Sequence, residues 1–416
     1  MSHPLFDQNI TLDKTVIVIV SAYAALQLLF FFLNVPTTPL YALPVSLVPA
    51  FFLIQFSSGQ PVEYERFSLL ILLSAVVIFA ATFSRQPYPD TYDHAKYLLL
   101  YFFYFMGVNG HLDNSIRVLR QARFLLYLLP IILLSFYLLV LGGSGNFGGS
   151  VAFLANRNNL SGLIIAIVLT ISVTNPGHRL VYLLLPVLIL VGTLGGVLAL
   201  AIALFVAYGL RPRYLVPAVA FVSLIGYTAL TFDWSFAVRI NNAFIILATM
   251  WELNFFEALS TMTFSDAAGL VSNASDTSIF FRLKQWLEIV IVMASNWEQL
   301  IFGFGFSASE VLTTSQKLPH NDWLRVLFEG GIFSLATFGL LTLVALRDLY
   351  RHDLQSFIVG LALFVFMLSD NLIDNFLLSF LLFYSLGLAR QAAHRRPSPT
   401  NELAKTETSA KSKATA

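Results

Sequence analysis

The feature that most constrains this chain is the recurrence of apolar runs close to the length of a membrane crossing. They fall at roughly 15–34, 38–56, 67–84, 95–110, 124–142, 158–174, 180–194, 196–210, 214–231, 327–346, 355–370 and 373–389. A perpendicular helical span takes about 20 apolar residues, and several of these runs are shorter. Charged residues make up only 11% of the chain and hydrophobic ones 57%, whereas a soluble domain carries about 25% charged residues. So few charges do not coat a water-facing surface. The expected fold class is therefore all-α: a polytopic membrane protein of about twelve transmembrane helices.

The segment 180–210 decides the count. As one helix its 31 residues would run ~46 Å at 1.5 Å per residue, too long for a hydrocarbon layer of ~30 Å. A break at Gly192-Thr193-Leu194-Gly195-Gly196 gives two short helices instead. With the break, both termini lie on one side, which holds 16 of the 24 Lys and Arg residues. Without it, the basic connections after residue 210 change sides. Cytoplasmic loops carry the excess of Lys and Arg, so the expectation is twelve spans with both termini inside. No cleavable leader is read, and the first apolar run is expected to stay as a helix.

The expected organisation follows. Residues 1–231 form a transmembrane bundle of about nine spans, and 232–326 form one large outward insertion. Residues 327–390 return to the membrane, and 391–416, rich in Ser, Thr, Ala and Lys, form a disordered cytoplasmic tail. In a bacterial inner membrane, outward means periplasmic. The net charge of +1 offers no bulk attraction to nucleic acid. The absence of cysteine excludes disulfides, thiolate metal sites and a cysteine nucleophile.

Most connections read as ordinary structure. Val35-Pro36-Thr37-Thr38-Pro39 and Arg85 to Asp90 are turn-like, and Arg117, Arg120 and Arg123 anchor topology. Leu141 to Ser150 is Gly-rich but lacks the Lys-Ser/Thr of a phosphate loop. Asn156-Arg157-Asn158-Asn159 reads either as an anion site or as a capped helix start.

The insertion carries helices of its own. Ala243 to Leu259 is apolar and aromatic but interrupted by Glu252 and Glu257, as in a helix lying in the membrane interface. A helix is expected from near Ser278, capped by Asp276 or Thr277, to about Ser295. Gly303 and Gly305 break the chain, Val311 to Pro319 loops, and His320 precedes a helix that continues into the next span.

Candidate chemistry gathers in 278–331. Arg282 and Trp286, four apart, share a helical face, with Gln285 beside them. A guanidinium offers a rigid fork of donors that suits a diphosphate; the alternative is a snorkelling interfacial arginine. An imidazole such as that of His320 exchanges protons near neutral pH; the alternative is a capping histidine. Arg325 and Glu329 are four apart and at pairing distance on a helix. No metal-ligand spacing is seen. Asp370 and Asp374 read first as turn residues, with a cation contact as the alternative.

Taken together, Arg282-Leu283-x-x-Trp286, Gly303-x-Gly305, His320-Asn321-Asp322-Trp323-Leu324 and Glu329-Gly330-Gly331 resemble the O-antigen ligase superfamily. Asn158-Asn159 before an earlier span is similar too. The resemblance implies a metal-independent, cofactor-free, inverting glycosyltransferase of the bacterial inner membrane. Its donor would be a glycan on undecaprenyl pyrophosphate. Its acceptor would be a sugar hydroxyl of lipid A-core in a ligase, or another lipid-linked repeat in a polymerase. His320 would act on the acceptor hydroxyl and Arg282 on the donor pyrophosphate. Arg157, Asn158, Arg239, Lys284, Trp286, Asn321, Arg325 and Glu329 complete the expected substrate-binding set. Many members carry Ser-Arg-Gly after the seventh span, where this chain reads Thr193-Leu194-Gly195. The arginine position is Leu194, and Arg157, Arg239, Lys284 and Arg325 are the cations available to replace it. A transporter built on broken helices is the reading of a different class.

Overall fold

The computed structural model describes residues 91–109, 157–177, 179–209, 235–271, 277–297 and 299–395, with helical positions 22, 23, 25, 26 and 46. Expected spans 67–84, 124–142 and 214–231, almost all of 15–34 and 38–56, the connections 35–39, 85–90 and 117–123, the loop 141–150 and residues 396–416 of the expected tail lie outside the described residues, while 391–395, expected in that tail, continue the last helix. Among the described residues every regular element is a helix. They are α1 (Thr91–Asn109), α2 (Arg157–Thr174), α3 (Val181–Val191), α4 (Leu194–Tyr208), α5 (Ser235–Glu252), α6 (Phe255–Thr261), α7 (Phe264–Gly269), α8 (Ser278–Ser295), α9 (Gln299–Phe302), α10 (Ala308–Leu312), α11 (Asp322–His352), α12 (Leu354–Phe366) and α13 (Phe376–Arg395). Three of them, α2, α11 and α13, are long and apolar enough to cross a membrane, or four crossings if the bent pair α5–α6 counts as one.

The main core is built on α13, which packs on α1, α2 and α11, while α12 packs on α4, α2 and α11. Helices in lipid approach closely where side chains are small. Gly107 of α1 and Gly387 of α13 do this: a Cβ on either would strike the other helix's backbone. Thr170 of α2 and Ser385 of α13 share a hydroxyl hydrogen bond of 2.9 Å in the same buried layer.

The segment 180–210 is two helices. Gly192 ends α3 in the left-handed region at φ 77°, its N–H returning to Leu188 and Ile189. Extended Thr193 starts α4, and its hydroxyl meets that of Ser161 on α2 at 2.8 Å. Glycine adopts the left-handed cap without a Cβ penalty.

A second break matters more. Helix α11 runs 31 residues, but Gly331 leaves the helical region at φ 74°, ψ −173°. Residue 326, the expected end of the insertion, lies inside this helix, and the backbone break comes at Gly331. The break frees carbonyls, and the Gly303-Phe304-Gly305 strip claims them: Phe304 N–H donates to Phe328 O at 2.8 Å and Gly305 N–H to Glu329 O at 3.0 Å. The fit excludes side chains, since a Cβ on Gly303 would strike Glu329 O and one on Gly331 would strike Ile301 O. Phe304 stacks on Phe328, centroids 4.6 Å apart. The two glycine motifs noted in the sequence are two halves of one joint.

The insertion has its own small cores. Ile246 and Met250 of α5, Ala258 and Leu259 of α6 and Phe280 of α8 make one. Ile289 and Met293 of α8 join Phe304, Ala308 and Phe328 in the other. Helix α8 thus lies between the α5–α6 pair and the start of α11.

Candidate functional site

The residues His320 to Trp323 each have a separate job. Asn321 is the N-cap of α11, its Oδ1 accepting from Leu324 N–H at 2.9 Å. A cap of this kind satisfies one of the free N–H groups of the first turn. Asp322 is fully buried, and its Oδ2 accepts from Leu372 N–H at 2.7 Å and Ile373 N–H at 3.1 Å, while its own N–H donates to Met367 O. Trp323 Nε1–H donates to Phe364 O at 2.9 Å. These bonds lock the start of α11 onto the turn 367–375 between α12 and α13. His320, one residue before the cap, is left projecting over that turn.

Asp370 sits in the turn and is the meeting point. Its Oδ1 lies 3.3 Å from His320 Nδ1, and its Oδ2 lies 3.7 Å from Arg282 Nη2. The second distance is an ion pair but too long for a hydrogen bond. Asp370 also accepts from Asn371 N–H at 2.9 Å. Asp370 is 3% exposed and His320 33%, so the carboxylate is sealed and the imidazole is reachable. Burial pushes the Asp370 carboxyl up. The His320 hydrogen bond and the Arg282 charge outweigh it, and the carboxyl is held below its usual value.

The loop carrying His320 is fastened to the helix carrying Arg282. Gln285 Nε2 donates to Lys317 O at 2.6 Å, and both oxygens of Glu288 accept from Thr314. Phe281 presents its ring edgewise to His320, centroids 6.1 Å apart. Arg282 is mostly buried, with Nε lacking a hydrogen-bond partner, as does Nε1 of neighbouring Trp286. The guanidinium Nε is thus sealed without a partner, and the charge is balanced through Nη2 by Asp370.

The other expected residues separate into groups. Arg325 is fully buried, its Nε on Glu329 Oε1 at 3.0 Å and its Nη1 on Asp374 Oδ1 at 2.7 Å. Glu329 also accepts from Ser307 N–H at 3.2 Å. This pair braces the α11 joint. Lys284 turns the other way, its Nζ donating to Met262 O at 2.7 Å and lying near the Phe280 ring. Arg157 and Asn158 begin α2, and Arg157 lies one turn from Ser161, which bonds Thr193. Arg239 is on α5, with its side chain outside the described residues.

The break at 192–196 belongs to the same end of the molecule. A Cβ on Gly195 would meet Ser369 Oγ at 2.5 Å, next to Asp370 in the chain, and one on Gly162 of α2 would strike Leu378. Helices α2, α4, α11 and α13 all begin here. Helix N-termini carry partial positive charge, and at α11 and α13 first-turn N–H groups are taken by the Asn321 and Asn375 side chains. Among the described residues no three His, Asp or Glu side chains gather as a metal site.

Sequence reasoning missed Asp370 as a site residue and Asp322 as a clamp. Both readings of the Asp370/Asp374 pair hold: Asp370 accepts from Asn371 N–H in the turn, and the two carboxylates meet the cations Arg282 and Arg325.

What the fold and site define is a class: an all-helical chain with span-length apolar helices and a polar insertion that carries an Arg–Asp–His cluster. Comparison with known families finds no match, and comparison with curated proteins finds none either.

Proposed function

We propose that the chain is a membrane glycosyltransferase that moves a glycan from undecaprenyl pyrophosphate to a sugar hydroxyl, as the resemblance of its motifs to the O-antigen ligase superfamily implies. The carrying observation is that Arg282 and His320 converge on the one Asp370 carboxylate. In this reading the twelve-span arrangement sits in a bacterial inner membrane with both termini cytoplasmic, and the insertion faces the periplasm.

The geometry supports a division of labour. Asp370 against Nδ1 favours the tautomer with the proton on that nitrogen. Nε2 is then left to take the proton of the acceptor hydroxyl. The freed oxygen attacks the anomeric carbon, the bond from that carbon to the pyrophosphate oxygen breaks, and undecaprenyl pyrophosphate departs with the electron pair. Arg282 meets the charge that develops on the leaving group. The N-terminus of α4, which starts at Leu194, adds positive potential where the family arginine would stand. Arg325 is committed to Glu329 and Asp374, and Lys284 to Met262 O. Of the four candidate replacement cations, these two are thus committed elsewhere.

Purified His320→Ala and Arg282→Ala proteins should fold and lose transfer from a lipid-pyrophosphate donor. Full activity in both overturns the reading. Ligase and polymerase differ only in the acceptor. A glycan gel of a deletion strain separates them: unattached long chains for a ligase, core bearing a single repeat for a polymerase.

A further inference from the structure

The largest exposed apolar features of the insertion collect at one corner. Helices α5 and α6 meet at a bend of 104°, turned by Asn254 at φ 67°. Trp251, at 81% exposure the most exposed of the large hydrophobic residues described, stands at the corner with Leu253 and Phe256, and Phe244 lies two turns back. The underside of the corner is filled by Ile246, Met250 and Phe280. The aromatic face is therefore what remains after the insertion has built its own core.

Three observations identify what covers it. The helix pair has the apolar length of a span, but its arms, Ile240–Glu252 and Phe255–Thr261, are only ~20 and ~10 Å long at 1.5 Å per residue, and bent by 104° they reach less than the ~30 Å of a hydrocarbon layer. Exposed Trp and Phe interleaved with exposed Glu252 and Glu257 are the composition of a segment lying at the boundary of lipid and water. Beyond the far end of α8, exposed Phe302 of α9 lies 6.3 Å from exposed Phe333, where the apolar part of α11 begins. Helix α8 rests on the α5–α6 core at its start and on Phe304 and Phe328 at its end. It is thus held from both ends by elements that present aromatics outward.

We propose that the α5–α6 corner is a membrane foot: Trp251, Leu253 and Phe256 insert into the interfacial layer of the bilayer and hold α8, with Arg282, at a set height above it. The foot concerns where the chain meets lipid, and its test needs no glycan.

The sequence has no cysteine, so Trp251→Cys in the full chain carries a single nitroxide label. Reconstituted in phosphatidylcholine vesicles, the label should collide with oxygen several-fold more often than with a water-soluble nickel chelate. The reverse ratio overturns the foot, and so does a label shielded from both, which would mean a protein surface covers it. Natural side chains give a second reading. Lipids brominated along the acyl chain should quench part of the wild-type tryptophan fluorescence, and Trp251→Phe should lose that part. Equal quenching in the two proteins overturns the proposal.

Discussion

His320 and Asp370 stand 50 residues apart in the chain, and their Nδ1 and Oδ1 atoms stand 3.3 Å apart in the fold. The carboxylate is sealed while the imidazole is open. An exposed base backed by a buried orienting acid is an arrangement suited to taking a proton from a hydroxyl. Asp370→Asn keeps the shape and removes the charge. Transfer should fall by roughly 10²–10⁴-fold, the range a general base supplies, with the loss in kcat. Steady-state assays with a lipid-pyrophosphate donor check this, and a change confined to KM contradicts it.

Asp370 also sets an acid limit. Its carboxyl is held below its usual value in the fold. A depressed folded-state pKa gives stability that is complete above the unfolded value of about 3.9 and is lost as pH falls through the folded value. The stability gap between wild type and Asp370→Asn should therefore be present above that window and close as pH falls through it. Melting curves of both proteins across acid pH measure the gap; one that persists undiminished below the window contradicts the assignment.

The Gly303–Gly331 joint predicts a contrast among glycines. Gly303→Ala places a Cβ against the Glu329 carbonyl at a backbone φ of 79°. Left-handed strain alone costs about 1–2 kcal/mol, and the backbone collision adds to it. Gly339→Ala, in mid-helix with nothing near its Cβ position, should be neutral or stabilising by up to about 1 kcal/mol. Thermal melting in detergent should lower Tm for the first and not for the second.

Arg325 is buried between Glu329 and Asp374. Removing one member of a buried ion pair typically costs about 3–5 kcal/mol, because the partner charge is stranded. Arg325→Ala should lower stability on that scale. Arg325→Met combined with Glu329→Leu should recover part of it, since Asp374 is 24% exposed and can be hydrated. Equal loss in the single and double variants contradicts the ion-pair account.

The sequence by itself determined what local signals encode. Apolar runs and low charge gave the all-helical class, and turn residues and glycines gave the limits of α8, the start of α11 and the split between α3 and α4. Those features depend on side chains within a few residues of one another. The pairings did not show, because each joins segments far apart in the chain. Asp370 looked like a turn residue, and became the bridge between Arg282 and His320 only when the 367–375 turn closed under α11. Arg325 read as a partner of Glu329 one helical turn on, which the fold keeps, and only tertiary packing added Asp374, 49 residues away, as its second carboxylate. Gly303 and Gly305 read as a chain break and Gly330-Gly331 as part of a helix entering a span, until backbone contact made them one joint. Hydrophobic patterning fixes which residues seek a core, but only the packed helices decide which polar groups are trapped together, since a buried charge must find its partner wherever the fold brings one.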